Sequence, residues 1–411
     1  MTTPRTPFSR RTLLKGILAA GAAPFFVRAS ALGADGRPAP SNRLALGCIG
    51  VGGRGTSDMK TFLSFPEVQV VAVCDVVQGH RERAKGVVDK QYGTTACAAV
   101  NDFRDVIRRP DVDIILCGTP DHWHAIVSIE AMRQGKDVFC EKPETLTIRQ
   151  GRRIADEVRR LGRVFSGGSQ RVWEDYNWFH KMVRGGQIGD VREVYVNVGQ
   201  PSKECDLPAE PVPAGVDWNL WLGPAPWEPF NGRRLNFRAW RDYSGGSMTD
   251  WGAHCFGGAL FCCQLHHTGP VKITPPDGKD HPYLTYEFAN GIKFYHSNKY
   301  KGRLHVVGSK REIPAVDGER LRPMERAPAI QIENYKGGGG LVGDFLYGVR
   351  TRQEPFRNIE VAHRAVTVCH LGNIAYWLNR PIRWDPVKEE IVGDPEAARW
   401  LDRPMRSPWR I

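Results

Sequence analysis

Two short stretches hold residue types that could move protons at the hydroxyl of a small molecule. Glu141-Lys142-Pro143 ends the apolar run Val138-Phe139-Cys140. A lysine at a strand end can donate to a hydroxyl or carbonyl oxygen and exchange a proton with it. Pro143 fixes the backbone just beyond. Taken alone, Lys142 reads more simply as a surface lysine paired with Glu141; its place beside the crevice described next makes it a candidate. The second stretch is Asp250-Trp251-Gly252-Ala253-His254, preceded by Gly245-Gly246. Asp250 and His254 are four apart and share one face of a helix. A histidine can take a hydroxyl proton, and a nearby carboxylate can orient it or hold a neighbouring hydroxyl. The same spacing equally fits a helix start in which Asp250 caps and His254 packs in the core. Gln170 and Arg171 follow the last strand of the first half and could contact a substrate or a cofactor.

The crevice comes from Leu44-Ala-Leu-Gly-Cys-Ile49, an apolar strand that runs into Gly50-Val-Gly52-Gly53-Arg54-Gly55 and then a helix-like segment, 56–64. That is a dinucleotide fingerprint in its proper setting. Gly50 permits the tight turn, Gly52 lets the backbone approach a pyrophosphate, and Gly55 lets helix and strand pack closely. The helix start offers free N–H groups to phosphate. A second strand, 69–74, ends in Asp75, placed to grip the adenosine ribose hydroxyls. Asp75 favours NAD, because a carboxylate repels a 2′-phosphate; His80 and Arg81 nearby keep NADP open.

Strand and helix patterns alternate to Gly167: strands at 114–118, 138–140 and 164–166, helices at 122–134 and 148–161. This predicts a parallel sheet with helices on both faces and a ligand crevice at the strands' carboxyl ends. Gly118-Thr119-Pro120 and Glu141-Lys142-Pro143 fall there. Asp121 is expected to cap the next helix, and His122 and His124 to line the nicotinamide pocket from its start. The His-x-His spacing lacks paired cysteines or carboxylates, so no metal is expected. Beyond Gly167 come a strand at 191–198, a Pro- and Trp-rich stretch without periodicity at 201–240, and a hairpin, 284–288 and 292–296, around Asn290-Gly291. A strand at 304–307 and an amphipathic helix at 360–378 follow. The second half therefore reads as α+β with an antiparallel or mixed sheet, and Gly337–Gly340 as a flexible loop that could border the site. Domain bounds are set at 42–167, 168–358 for substrate binding and oligomerisation, and 359–411 for a C-terminal helix and tail.

Residues 1–31 read as an address. Ser9-Arg10-Arg11-Thr12-Leu13-Leu14-Lys15 is a twin-arginine motif, followed by a short apolar stretch and Ala29-Ser30-Ala31, a small-residue cleavage pattern. The expectation is export by the twin-arginine machinery to the periplasm, with no membrane span in the mature chain. This segment carries five of the basic residues and no acids, so the formal charge of +12 falls to +7 without it. The rest is spread, which suits an anionic cofactor and argues against nucleic acid. The ten cysteines sit mostly at apolar strand ends without CxxC spacing. They read as small hydrophobes, with a single bridge left open.

Gly50-Val-Gly-Gly-Arg-Gly55, Thr119-Pro-Asp-His-Trp-His124, Glu141-Lys142-Pro143 and Asp250-Trp-Gly-Ala-His254 together resemble the Gfo/Idh/MocA oxidoreductase family, over nearly the whole chain after the signal. The resemblance implies an α/β protein: an N-terminal Rossmann doubly wound sheet and a C-terminal α+β domain with an open, predominantly antiparallel sheet. It also implies NAD or NADP, a sugar, cyclitol or polyol substrate, and a homo-oligomer formed through that sheet. The family's catalytic lysine maps onto Lys142 and its Asp…His pair onto Asp250 and His254. Cys255-Phe-Gly-Gly follows where relatives often carry an acidic residue, which leaves the substrate open. Free nicotinamide is scarce outside the cytoplasm, so the expected chemistry is hydride transfer with a tightly held, internally recycled cofactor. The NAD-dependent glycoside hydrolases of family 109 are one such scheme, and transfer between two sugars is another. A non-catalytic sugar or nucleotide sensor is the competing class.

Overall fold

The computed structural model describes residues 38–313 and 325–411; the twin-arginine segment lies outside them. Leu44–Ile411 forms one compact unit. Its first layer is built from β1 (Leu44–Ile49), α1 (Gly53–Leu63), β2 (Val68–Cys74), α2 (Gln78–Tyr92), β3 (Ala98–Val100) and α3 (Phe103–Ile107). β4 (Ile114–Cys117), α4 (Asp121–Arg133), β5 (Asp137–Cys140), α5 (Ile148–Leu161) and β6 (Phe165–Gly167) complete it. The strands lie in the order β3-β2-β1-β4-β5-β6, all parallel. This is the doubly wound arrangement, whose chain reversal opens a crevice between β1 and β4. The central strands are near-continuous apolar runs because helices cover both faces. α5 is bounded by local chemistry: Thr147 accepts from Gln150 N at its start, and Gly162 takes the left-handed conformation at its end.

The second layer adds α6 (Arg171–Glu174), α7 (Asn177–Arg184), β7 (Val191–Val196), α8 (Trp218–Leu222), α9 (Ser247–Asp250) and α10 (Gly252–Cys262). Then come β8 (Lys272–Thr274), β9 (Leu284–Glu287), β10 (Lys293–His296), β11 (Leu304–Gly308) and β12 (Glu312–Ile313). α11 (Gly340–Thr351), α12 (Ile359–Leu378), β13 (Ile382–Asp385), β14 (Glu390–Ile391) and the short α13 (Pro395–Ala398) follow. The sheet order is β12-β11-β7-β10-β9-β8-β13-β14. Only β7 and β10 pair in parallel; the other neighbours are antiparallel. One face of this sheet packs on α10 and α12 through Phe256, Leu260, Val368 and Leu371.

Two segments sit differently from the sequence reading. The stretch set apart as a helix and tail supplies β13 and β14 to the second sheet. α11 packs back on the first domain, Phe345 against Phe62 and Phe139. The Gly337–Gly340 run starts that helix, with Gly339 close against Phe65, and none of the four lines the cavity described below. All ten cysteines are free. Among the described residues no helix is long and apolar enough to cross a membrane.

Candidate functional site

A cavity of about 340 Å3 lies at the carboxyl ends of β1, β2, β4 and β5. Gly50, Gly52, Gly53, Arg54 and Gly55 form one wall; Asp75, Thr119, Pro120, Glu141 and Lys142 form the rest of its floor. The glycines are required by contact. Gly50 has φ +78°, and a Cβ there would lie 2.5 Å from Thr119 N. A Cβ on Gly55 would lie 1.9 Å from Gly50 O. Asp75 Oδ1 accepts from Val77 N at 2.9 Å, and His80 Nδ1 lies 3.4 Å from the same oxygen. Oδ2 is left for a diol. This cradle fits a dinucleotide: close backbone, a helix start for pyrophosphate and a carboxylate for the ribose.

Arg54 does not stand free for phosphate. It bridges Glu141, at 3.1 Å, and Asp58, at 2.8 Å. Burial, and then the Glu141 charge, push the Asp58 carboxyl up to about 8. Glu141 in turn accepts from Lys142 N and anchors the strand end that carries the lysine.

Three sequence expectations change. Asp121 is not a cap: Pro120 occupies that position, and Asp121 Oδ2 accepts from Ser244 Oγ at 2.6 Å. His122 does not line the cavity. It donates from Nε2 to Trp221 O at 3.0 Å and packs between Trp221 and Tyr243, and burial lowers it to about 4. His124 is buried as well, its Nδ1 on Pro143 O at 2.7 Å and its Nε2 on Thr119 O at 2.8 Å. Both histidines hold the cavity floor in place and do not contact its contents. Cys117, His124 and Cys140 bring their donor atoms within 4.8 Å of one another. Both His124 nitrogens point protons at carbonyl oxygens, which leaves no lone pair for a metal. Burial opposes a charge on His124, but Cys117 and Asp121 raise its pKa.

Asp250 and His254 reach the site from the second domain. Asp250 Oδ1 accepts from Lys142 Nζ at 2.6 Å and from Arg238 Nε at 2.9 Å. Burial works to raise Asp250, but Lys142 and Arg238 overcome it and hold the carboxyl below its usual range. His254 is 4% exposed. Its Nδ1 lies 2.7 Å from Ser169 Oγ, and Nε2 has no partner among the described residues. Burial, then the Lys142 and Arg171 charges, push His254 well below the imidazole range, so it is a neutral base at pH 7. Gln170 starts α6, and its backbone O accepts from Tyr335 Oη at 2.8 Å. Arg171 pairs with Asp175 at 2.6 Å and lies 5.1 Å from the Trp251 ring centre. Asp250, His254, Gln170 and Arg171 do not line the cofactor cavity; Asp250 meets it through Lys142 and Arg238.

The Pro- and Trp-rich stretch is the main feature that the sequence reading left without a role. It crosses the crevice as a roof, with Leu220, Trp221, Leu235, Phe237 and Arg238 facing the cavity. Gln78 N donates to Gly215 O, Asp217 N to Val76 O, and Asn101 Nδ2 to Asp217 Oδ2. Trp123 Nε1 donates to Trp221 O at 3.0 Å. Trp218, Trp221, Phe230, Trp240 and Tyr243 give the roof its own small core, whereas Trp227 is 65% exposed.

Comparison with known proteins agrees with this geometry. Residues 44–169 match "Oxidoreductase family, NAD-binding Rossmann fold", and residues 194–411 match "Oxidoreductase family, C-terminal alpha/beta domain", both of the Gfo/Idh/MocA group. The chain belongs to the Gfo/Idh/MocA oxidoreductase family. Its first domain is the family's NAD-binding fold, and its second is the mixed, mostly antiparallel partner. A glycosyl hydrolase family 109 protein from Saccharopolyspora erythraea is 36% identical over 167 residues, 34% of this chain and 35% of the relative. The chain thus spans about a third of the length of that curated relative. An aldose-aldose oxidoreductase from Caulobacter crescentus has the same fold, with TM-score 0.58, 21% identity and coverage of 83% of this chain and 99% of that one. So does myo-inositol 2-dehydrogenase from Lactobacillus plantarum, with TM-score 0.58, 17% identity and coverage of 83% and 99%.

Proposed function

We propose that the chain is an NAD-dependent enzyme that oxidises a hydroxyl of a sugar or polyol and retains its cofactor between turnovers. The observation that carries this is the roof. Segment 201–240 is tied to the first domain at Val76–Gln78, Asn101 and Trp123, across the opening through which a dinucleotide would leave. Bound NAD supplies a reversible hydride acceptor. The protein's part is proton handling and positioning. With Nδ1–H donated to Ser169 Oγ, His254 presents a lone pair at Nε2 and takes the hydroxyl proton. Lys142 Nζ stabilises the developing oxygen charge, and Asp250 fixes that ammonium in place. The resulting ketone acidifies the neighbouring C–H, so elimination or epimerisation can follow before the electrons return.

The test is to purify the protein, measure retained NAD, and follow nicotinamide absorbance on adding free sugars and glycosides. A transient signal that decays is the expected result. Protein that arrives empty, and reduces added NAD stoichiometrically with a sugar, refutes cofactor recycling. The similarity to family 109 proteins favours a second reading, in which the transient ketone serves cleavage of a glycosidic bond; released aglycone would distinguish it. Export by the twin-arginine route, a periplasmic location and assembly of copies through the second sheet belong to the same proposal. Fractionation of cells and light scattering of the purified chain test them.

A further inference from the structure

We propose that the substrate is an acidic sugar, a uronic acid or its glycoside, whose carboxylate docks on Arg238. This rests on the hydride-transfer reading of the site. Asp250 is one carboxylate serving two cations through the same oxygen: Lys142 Nζ at 2.6 Å and Arg238 Nε at 2.9 Å. Asp121 and Glu141 also line this cavity, so what favours an anion is the free edge of the guanidinium and not a charge surplus. Arg238 spends only Nε on Asp250. Its Nη1 and Nη2 have no partner among the described residues, and the side chain lines the cavity with 43% exposure. Two parallel N–H groups on a rigid planar fork match the two oxygens of a carboxylate. A neutral sugar can offer that edge single hydroxyl acceptors; an anionic one gains a charge-assisted bidentate pair.

A second arginine lies beyond Trp251. Arg303 lies 3.5 Å from the Trp251 ring centre and has no carboxylate partner among the described residues. Trp251 is itself 5.8 Å from the His254 ring. Arg303 is thus separated from His254 by the Trp251 ring, and Asp250 is shared between Lys142 and Arg238. The other anion within reach of the cavity is the cofactor's pyrophosphate, and the experiment separates the two.

Purified full-length protein carrying its nicotinamide is titrated calorimetrically with methyl β-D-glucuronide and methyl β-D-glucoside, as wild type, Arg238→Gln and Arg238→Lys. The expected result is uronide binding at least tenfold tighter than glucoside in the wild type. The preference should be lost in Arg238→Gln and partly kept in Arg238→Lys, with NAD content unchanged. Absence of uronide binding overturns the inference, as does glucoside binding equal to or tighter than uronide. So does a preference that survives Arg238→Gln, or loss of NAD from that variant with the sugar ranking intact, which would assign the guanidinium to the pyrophosphate. Arg238→Lys keeps the test readable if the glutamine variant fails to fold. Tight uronide binding with no change in nicotinamide absorbance would leave the anion site standing and remove the hydride-transfer reading instead.

Discussion

Lys142 and Asp250 are 108 residues apart in the chain and meet at 2.6 Å, Nζ to Oδ1. One comes from the end of a parallel strand, the other from a short helix in the second domain. Their contact joins the cofactor cavity to the second domain. Both side chains are nearly buried, 12% and 13% exposed, so Lys142 pairs with Asp250 inside the fold and is not a surface lysine.

Replacing this lysine tests the chemistry directly. Lys142→Met should lower kcat by about 10²- to 10⁴-fold, the range for removing a positioned acid–base group. NAD retention should persist, since the glycine turn and Asp75 are untouched. Retained turnover in a folded, NAD-loaded variant would remove Lys142 from the mechanism.

Acid should weaken both activity and fold. His254 is held well below the imidazole range by burial first and by Lys142 and Arg171 next. Burial also lowers His122 to about 4, His370 to about 3 and His266 to about 4. A histidine whose folded pKa is depressed takes up a proton on unfolding. Its stabilisation is full above the unfolded value of about 6.5 and is lost as pH falls toward the folded value. These histidines should therefore pull the Tm down from about pH 6.5 to about pH 4, against the opposite contribution of Asp121, which burial raises to about 6, and the acid limb of the rate profile should lie below the ordinary histidine pKa. His370→Asn should flatten the acid side of the Tm profile; an unchanged profile would contradict the depressed pKa of that ring.

The roof is held from outside by the C-terminal tail. Arg406 donates to Asn219 Oδ1 and Asn219 O, each at 2.8 Å, and to Gly223 O at 2.9 Å. Arg406→Ala removes all three bonds without touching the cavity. A loss of about 2 kcal/mol in roof closure should speed NAD release by roughly tenfold or more, read from cofactor dissociation on dilution. Release at the wild-type rate would mean that the roof does not retain the cofactor.

Arg152 holds the two domains together. It pairs with Glu360 at 2.6 Å and with buried Glu389 at 2.7 Å, and Glu389 also meets His363 and Arg364. Arg152→Met leaves Glu389 with partial compensation, so about 2 kcal/mol of unfolding free energy should be lost. Urea denaturation measures it, and the folded fraction should keep its activity.

The first domain was legible in the chain because its signals are local. Glycine spacing after an apolar strand, Asp75 at the next strand end and alternating periodicities each lie within a few dozen residues. Helix 148–161 and the hairpin around Gly291 were readable for the same reason. His122 and Asp121 misled because a polar residue at a helix start looks the same whether it faces a ligand or the partner domain. The partners that decided the matter, Trp221 and Ser244, lie 99 and 123 residues away.

Sequence alone determined the strand–turn–helix cradle and the family motifs that carry Lys142, Asp250 and His254. These depend on backbone geometry and residue type, which neighbours in the chain specify. Only the tertiary structure showed the roof over the crevice, Ser169 on His254 and Arg238 on Asp250. Segment 201–240 has no periodic pattern to read, and its contacts are made across domains. Such pairings follow from how the two sheets pack, which no local run of residues encodes.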